Sequence, residues 1–347
     1  MSKTTRVLFA AVACAFVVTQ ATAQDAAAPS VSLGGGIRAG ADWGGQGGND
    51  GDDYGLSNVR MYLNASAYGW LGVEVNTETS LASGDDVAVA GESPVIILDA
   101  VAKIDFGSIN VWAGRFLAPS DRANLSGPYY GNTGNLGLAT GSRYYMGSNN
   151  NHGRDDGVAI WGSSDLGGMN LKYQVGMFDG VAGDEDEMLA GRIVLNLWDN
   201  EEGYYNASTY YGEKQILAIG LSYQDGPGSG GNTADAEDAL QVDVLVEKTL
   251  DSVGTVTLDA AWYDIDGVED DTTSIFAGLL LNNEIALGPL SGKIRPYIRL
   301  VKDGVRGDET SFGVQHVIDG HKASLTIEIS DTDTDGNAIG IGAQFQF

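Results

Sequence analysis

The feature that most constrains this chain is an alternation of apolar and polar residues, with a period of two, that runs to its last residue. In the final ten positions Ile339, Ile341, Ala343, Phe345 and Phe347 alternate with Ala338, Gly340, Gly342, Gln344 and Gln346. The same pattern places Val59, Met61, Leu63 and Ala65 against Asn58, Arg60, Tyr62 and Asn64, and Leu325, Ile327 and Ile329 against Thr326, Glu328 and Ser330. A period of two sends successive side chains to opposite faces of a strand. Runs of about ten residues are as long as a tilted strand needs to be to cross a bilayer.

About sixteen such runs are expected. They fall at 31–43, 56–68, 70–80, 94–106, 109–118, 156–164, 169–179, 187–198, 215–225, 238–249, 254–265, 272–283, 292–302, 309–318, 321–331 and 338–347. The links between them alternate in length. Gly69, Phe106-Gly107-Ser108 and Asp319-Gly320 are short, whereas Gly44–Tyr54, Ser83–Ser93, Asp121–Asp155 and Gly226–Glu237 are long. Outer-membrane barrels have short periplasmic turns, long extracellular loops and an even number of strands. The link near Asn200–Gly212 is too long for the turn assigned to it. The expected fold is therefore all-β, a transmembrane antiparallel barrel over residues 24–347. Helices are not expected, because a closed barrel pairs every backbone group in lipid and leaves no edge. Soluble sandwiches and propellers also alternate, but they rarely combine ten-residue strands with this alternation of links.

Composition narrows the function. The chain has 47 acidic against 19 basic residues, a net charge of −28, which argues against nucleic acid as a partner. At 43% hydrophobic residues it is not a disordered acidic chain. Lys3 and Arg6, the apolar run Val7–Val18 and the small residues Ala21-Thr22-Ala23 read as a secretory signal peptide, residues 1–23. Its removal takes the only cysteine, Cys14, and leaves an exported chain without thiol chemistry.

At sixteen strands a barrel is wide enough to hold water. The faces expected to point inward carry Arg38, Arg60, Lys103, Arg115, Lys172 and Arg192 together with Glu74, Glu78, Asp99 and Asp243. The long link after the fifth strand, Asp121–Asp155, is similar in place to the loop that folds inward in general porins, which implies that it narrows the lumen; a solvated external loop is the alternative. It carries Arg122, Arg143, Arg154 and His152, with Asp121, Asp155 and Asp156 as the opposing wall. Opposed charges across a narrow opening would set a field that sorts ions.

Val111-Trp112-Ala113-Gly114-Arg115-Phe116-Leu117-Ala118-Pro119, Tyr173-Gln174-Val175-Gly176-Met177-Phe178-Asp179-Gly180 and Ala190-Gly191-Arg192 resemble strand signatures of the phosphate-selective porin O/P family. The terminal phenylalanine is similar to the assembly signal of Gram-negative outer-membrane barrels. The resemblance implies a homotrimeric porin in the outer membrane, in contact with lipid and lipopolysaccharide. It also implies an arginine-lined path onto which Arg115 and Arg192 map. The chain departs from that family in being lysine-poor with acidic loops, so general diffusion of small hydrophilic solutes and ions is the expected function. Anion or phosphate selectivity is one alternative, and a plugged barrel acting as an adhesin or structural protein is another.

No cofactor or metal is expected. Asp331-Thr332-Asp333-Thr334-Asp335-Gly336 opens like a calcium loop, but its twelfth position is Gly342 where glutamate is required. Catalysis is not expected either: the three histidines, His152, His316 and His321, lie in no hydrolase motif. Trp43, Trp70, Trp112, Trp161, Trp198 and Trp262 are expected in interfacial girdles.

Overall fold

In lipid a strand edge has no water to bond to, so a chain of strands must close on itself. The computed structural model describes residues 28–44, 53–79, 95–132, 153–180, 187–227, 238–266, 270–303, 307–333 and 336–347. The strands are β1 (Ser30–Gly44), β2 (Asp53–Tyr68), β3 (Leu71–Thr79), β4 (Val95–Asp105), β5 (Ile109–Leu117), β6 (Arg154–Asp165), β7 (Asn170–Phe178), β8 (Met188–Asn196) and β9 (Ile216–Asp225). They continue with β10 (Asp238–Leu250), β11 (Gly254–Ile265), β12 (Thr272–Leu281), β13 (Glu284–Leu287), β14 (Leu290–Lys302), β15 (Glu309–Asp319), β16 (Ala323–Thr332) and β17 (Gly336–Gln346). All pair antiparallel with their neighbours, and β1 also pairs with β17, from Gly36↔Gln346 to Gly44↔Ala338. Segments β12 and β13 both lie on β14 and are parted by Asn282 and Asn283, so they form one stave. The wall is a closed antiparallel barrel of 16 strands. Phe347 fastens the seam: its N–H donates to Gly35 O at 2.9 Å, and its carbonyl accepts from Gly35 N at 3.1 Å.

Alternation decides which face looks where. Ile327, Ile329, Ile339, Ile341 and Phe345 are exposed on the outside, while Thr326, Glu328, Ser330 and Gln344 of the same strands are buried inside. Ile329 stands opposite Ile339 and Ile327 opposite Ile341, so the outer face is a continuous apolar belt. Burying such a belt in water-free surroundings is favourable at about 25 cal/mol per Å² of apolar surface, which makes this a membrane-spanning wall.

Three details differ from the sequence reading. The stave after β11 runs on to Leu287 and turns at Gly288-Pro289, where the alternation had ended at 283 and resumed at 292. A helix exists, though not in the wall: α1 (Arg122–Tyr130) lies in the link after β5, capped by Asp121 and kinked at Gly127 before Pro128. Trp112 and Trp161 do not belong to an interfacial girdle. Trp112 is buried against Phe116 and Tyr204 on the inner face, and Trp161 packs against the same cluster. The signal peptide expected at 1–23 lies outside the described residues.

Replacing Ile327, in the middle of the outer belt, with arginine should destabilise the barrel by about 2–4 kcal/mol, whereas arginine near a strand end should cost about 0–1. Equilibrium unfolding from lipid vesicles measures the difference.

Candidate functional site

Among the described residues, two segments leave the wall and bond to it from within. The first follows β5. The carbonyls of Pro119 and Ser120 accept from Gln224 and Ser222 of β9 at 3.2 and 3.0 Å, and Asp121 Oδ2 accepts from the Tyr263 hydroxyl of β11 at 3.1 Å. At the other end of α1, Tyr129 lies against the opposite wall, with the guanidinium groups of Arg38 and Arg60 6.0 and 5.5 Å from its ring centre. Gly36 makes this approach possible, because a Cβ there would stand 2.7 Å from the Tyr129 ring. Asn132 then bonds to Asp259 of β11 and Arg295 of β14 at 2.9 and 2.8 Å. Residues Ala118–Asn132 thus span the lumen.

A buried ionic cluster holds α1. Arg122 donates to both Glu201 oxygens at 2.6 and 2.7 Å and to Asp243 Oδ1 at 3.3 Å. Arg192 of β8 binds the same Asp243 at 2.6 and 3.1 Å. The pair passes over Gly220, where a Cβ would fall 2.5 Å from Arg192 Nη2. Burial opposes ionisation of Glu201, but the Arg122 guanidinium outweighs it and holds the carboxyl below its ordinary value of 4.5. Burial likewise opposes the charge of Arg122, and Glu201 and Asp243 reverse that. Ions this deep persist only because each is paired and hydrogen-bonded.

The second segment was not foreseen as an inner element. The ladder between β8 and β9 continues through Leu197–Leu217 to Asp199–Gln215, and the chain between leaves the wall. Tyr204 stacks on Trp112 at 4.5 Å and donates to Leu117 O at 2.8 Å. Glu247 of β10 accepts from Thr209 Oγ1, Tyr210 N and Gly212 N. The two segments bond to each other through Ser208 N to Tyr130 O at 3.0 Å and Arg122 Nη1 to Ala207 O at 2.8 Å. His321, in the turn before β16, reaches both: its ring nitrogens lie 3.1 Å from Tyr129 O and 2.9 Å from Thr209 O. The sequence did carry a signal. A link of that length stood where a tight polar turn belongs, with two tyrosine pairs, Tyr204-Tyr205 and Tyr210-Tyr211.

The sequence-predicted residues divide. Arg38, Arg60, Arg122, Arg154, Arg192 and Asp121 face the interior and are buried. Arg60 pairs with Glu78 at 2.5 Å, and Arg154 with Asp99 at 3.3 Å. Asp155 accepts from Gly180 N and Asp156 N, at 2.8 Å each. Arg115 and Asp156 require a correction: they do not line the lumen. On β5 the inward positions are Trp112 and Phe116, and Arg115 stands between, opposite the exposed Ala100. Asp156 shares the face of Val158, which is half exposed, and bonds to Arg115 at 2.8 and 2.5 Å. Their charge suggested an inward position, but strand parity sends them out. Arg143 and His152 lie outside the described residues. Among the described residues, a cavity of about 380 Å³ lies beside these segments against β1–β4, lined among others by Arg60, Asn64, Glu74, Asp99, Arg154 and Tyr205.

Asp243→Ala would leave Arg122 and Arg192 sharing fewer partners and should destabilise the barrel by about 3–5 kcal/mol, read as a lower unfolding temperature. Because the Glu201 carboxyl titrates lower in the folded than in the unfolded chain, its contribution is complete above about pH 4.5 and is lost as pH falls through the folded value. Stability of the parent protein should therefore drop more steeply below that pH than stability of Glu201→Gln, in paired denaturation series.

No family model matches the sequence, and no curated protein matches it. Solved structures do match. A point mutant of the Rhodobacter blastica porin aligns with TM-score 0.60 at 12% identity, over 92% of this chain and 100% of the other. A loop-deletion mutant of OmpT, an outer membrane protein of Vibrio cholerae, aligns with TM-score 0.54 at 15% identity, over the same shares. A third match, concerned with the asymmetric conductivity of engineered proteins, has TM-score 0.58 at 14% identity. At these identities the likeness is one of fold: this chain is built as a porin barrel is built.

Proposed function

We propose that the chain is a porin of the Gram-negative outer membrane, residues 24–347 after removal of a 1–23 leader, that admits small hydrophilic solutes by passive diffusion. The observation that carries this reading is a closed barrel of 16 strands with an apolar outer belt, a polar inner face and porins as its structural neighbours. A channel suits that frame better than an enzyme. The segment carrying α1 acts as the narrowing loop. Homotrimeric assembly and contact with lipopolysaccharide belong to the same reading by resemblance.

Weak selectivity is favoured over anion selectivity. Of the charged residues that line the cavity, Arg60 stands against Glu78, Arg154 against Asp99, and Glu74 against Lys103. Each pair carries no net charge, so the groups at the cavity offer a passing ion no excess of either sign. One observation supports the phosphate-selective alternative: Arg60 and Arg154 line the same cavity.

Single-channel recording under a salt gradient tests the proposal. Stepwise, ohmic conductance with a reversal potential near zero is expected, without block by phosphate. Block by phosphate would establish the anion reading, and silence from a folded, heat-modifiable barrel would favour the plugged one. Arg154→Ala frees the Asp99 carboxylate from its salt bridge, and the reversal potential should then move toward cation preference.

A further inference from the structure

We propose that the chain between Asp199 and Gln215 is the second half of the constriction, entering from the short-turn end, and that with α1 it confines passage to the space beside β1–β4. The inference rests on the channel reading above and concerns what sets the bore and the class of solute.

Its length is out of place. Neighbouring connections at that end are Phe106–Ser108, Leu166–Met169, Asp251–Val253 and Gly288-Pro289, all tight. Here the ladder closes at Asp199–Gln215, with Asp199 N to Gln215 O at 2.9 Å and Gln215 N to Asp199 Oδ2 at 2.7 Å, and still leaves residues 200–214 to go elsewhere. They go inward and are fixed there. Glu201, Tyr204, Ala207, Ser208 and Thr209 are all buried, Thr209 completely. Loops left on a surface keep their backbone groups in water, whereas these are consumed by the barrel interior.

The segment also crosses. On one side Lys172 and Gln174 of β7 donate to the carbonyls of Tyr205 and Tyr204. On the other, Tyr211 bonds to Gln315 of β15 and its ring lies 5.2 Å from the Arg295 guanidinium of β14. Between these walls it joins α1. The space it occupies along β5, β7 and β8 is filled by an apolar cluster that includes Trp112, Phe116, Phe178, Met188 and Tyr204. The described side chains of that cluster pack directly against one another and leave no route between them.

What it turns toward the cavity against β1–β4 is Tyr205 and Asn206. Of its three carboxylates, Glu201 is engaged by Arg122, and Glu202 and Glu213 do not line that cavity. The boundary it adds is therefore a phenol and an amide, groups that exchange hydrogen bonds with a neutral polyhydroxylated solute and give an ion no charge to follow. The segment limits the size of sugar-like solutes and leaves the sign of ion preference unchanged.

The test replaces residues 200–214 with Asn-Gly, the two-residue turn that suits the Asp199–Gln215 pair. Parent and shortened proteins are compared by single-channel conductance, reversal potential, and swelling of liposomes in neutral sugars from a pentose to a trisaccharide. Conductance is expected to rise about twofold or more, with entry of sugars that the parent excludes and a reversal potential that stays near zero. A folded, shortened barrel with the parent's conductance and sugar cut-off overturns the inference and leaves the channel reading intact. A silent parent beside a conducting shortened form also overturns it, since the segment would then seal the barrel. Silence from both defeats the channel reading and the inference together. Should the shortened chain fail to fold, Tyr205→Ala decides: faster trisaccharide entry at unchanged ion preference supports the inference, and unchanged entry overturns it.

Discussion

Hydrogen-bond closure of the wall is the constraint on which everything else depends. Each strand bonds to two neighbours, and the ring is completed only where β1 meets β17 and Phe347 reaches Gly35. Lipid offers an unpaired amide nothing, so the ring is all or none. Once it is closed, strand parity assigns each wall residue to one of two solvents. The apolar set meets the bilayer, and the polar set is left facing a space that must itself be filled or wetted.

Much of that space is filled. A barrel of this size could hold water throughout, yet wall residues such as Asp243, Glu247 and Arg295 have almost no accessible surface. They are covered by α1 and by the link between β8 and β9, and their charges serve to hold those segments. The ionic cluster of Arg122, Glu201, Asp243 and Arg192 resembles the core of a soluble protein more than the wall of a water-filled tube. It is costly to assemble and, once complete, costly to break. The consequence for function is that charge in this sequence is a poor guide to charge felt by a solute.

The wall was legible from sequence because its signal is repeated in every strand. Parity in 338–347 and 321–331 places Ile339 and Ile327 outside with no other information. The interior was less legible because its contacts join residues distant in the chain, such as Arg122 with Asp243 or Tyr129 with Gly36. Arg115 shows the limit: its charge argued for the lumen, and only its place opposite Ala100 shows that it faces out. The break in the alternation after position 283 hid a hairpin because Glu284–Leu287 is exposed on every residue and carries no period.

The two inner segments enter from opposite mouths, yet both spring from the contiguous block β5–β9 and bond to each other at Ser208 and Tyr130. That block already contains both pieces and much of the apolar packing between them. The contacts of Tyr129 with Gly36 and of His321 with Thr209 become available only when the remaining strands have curled round. The pair is therefore a strut, joining one side of the cylinder to the other and fixing its width from within.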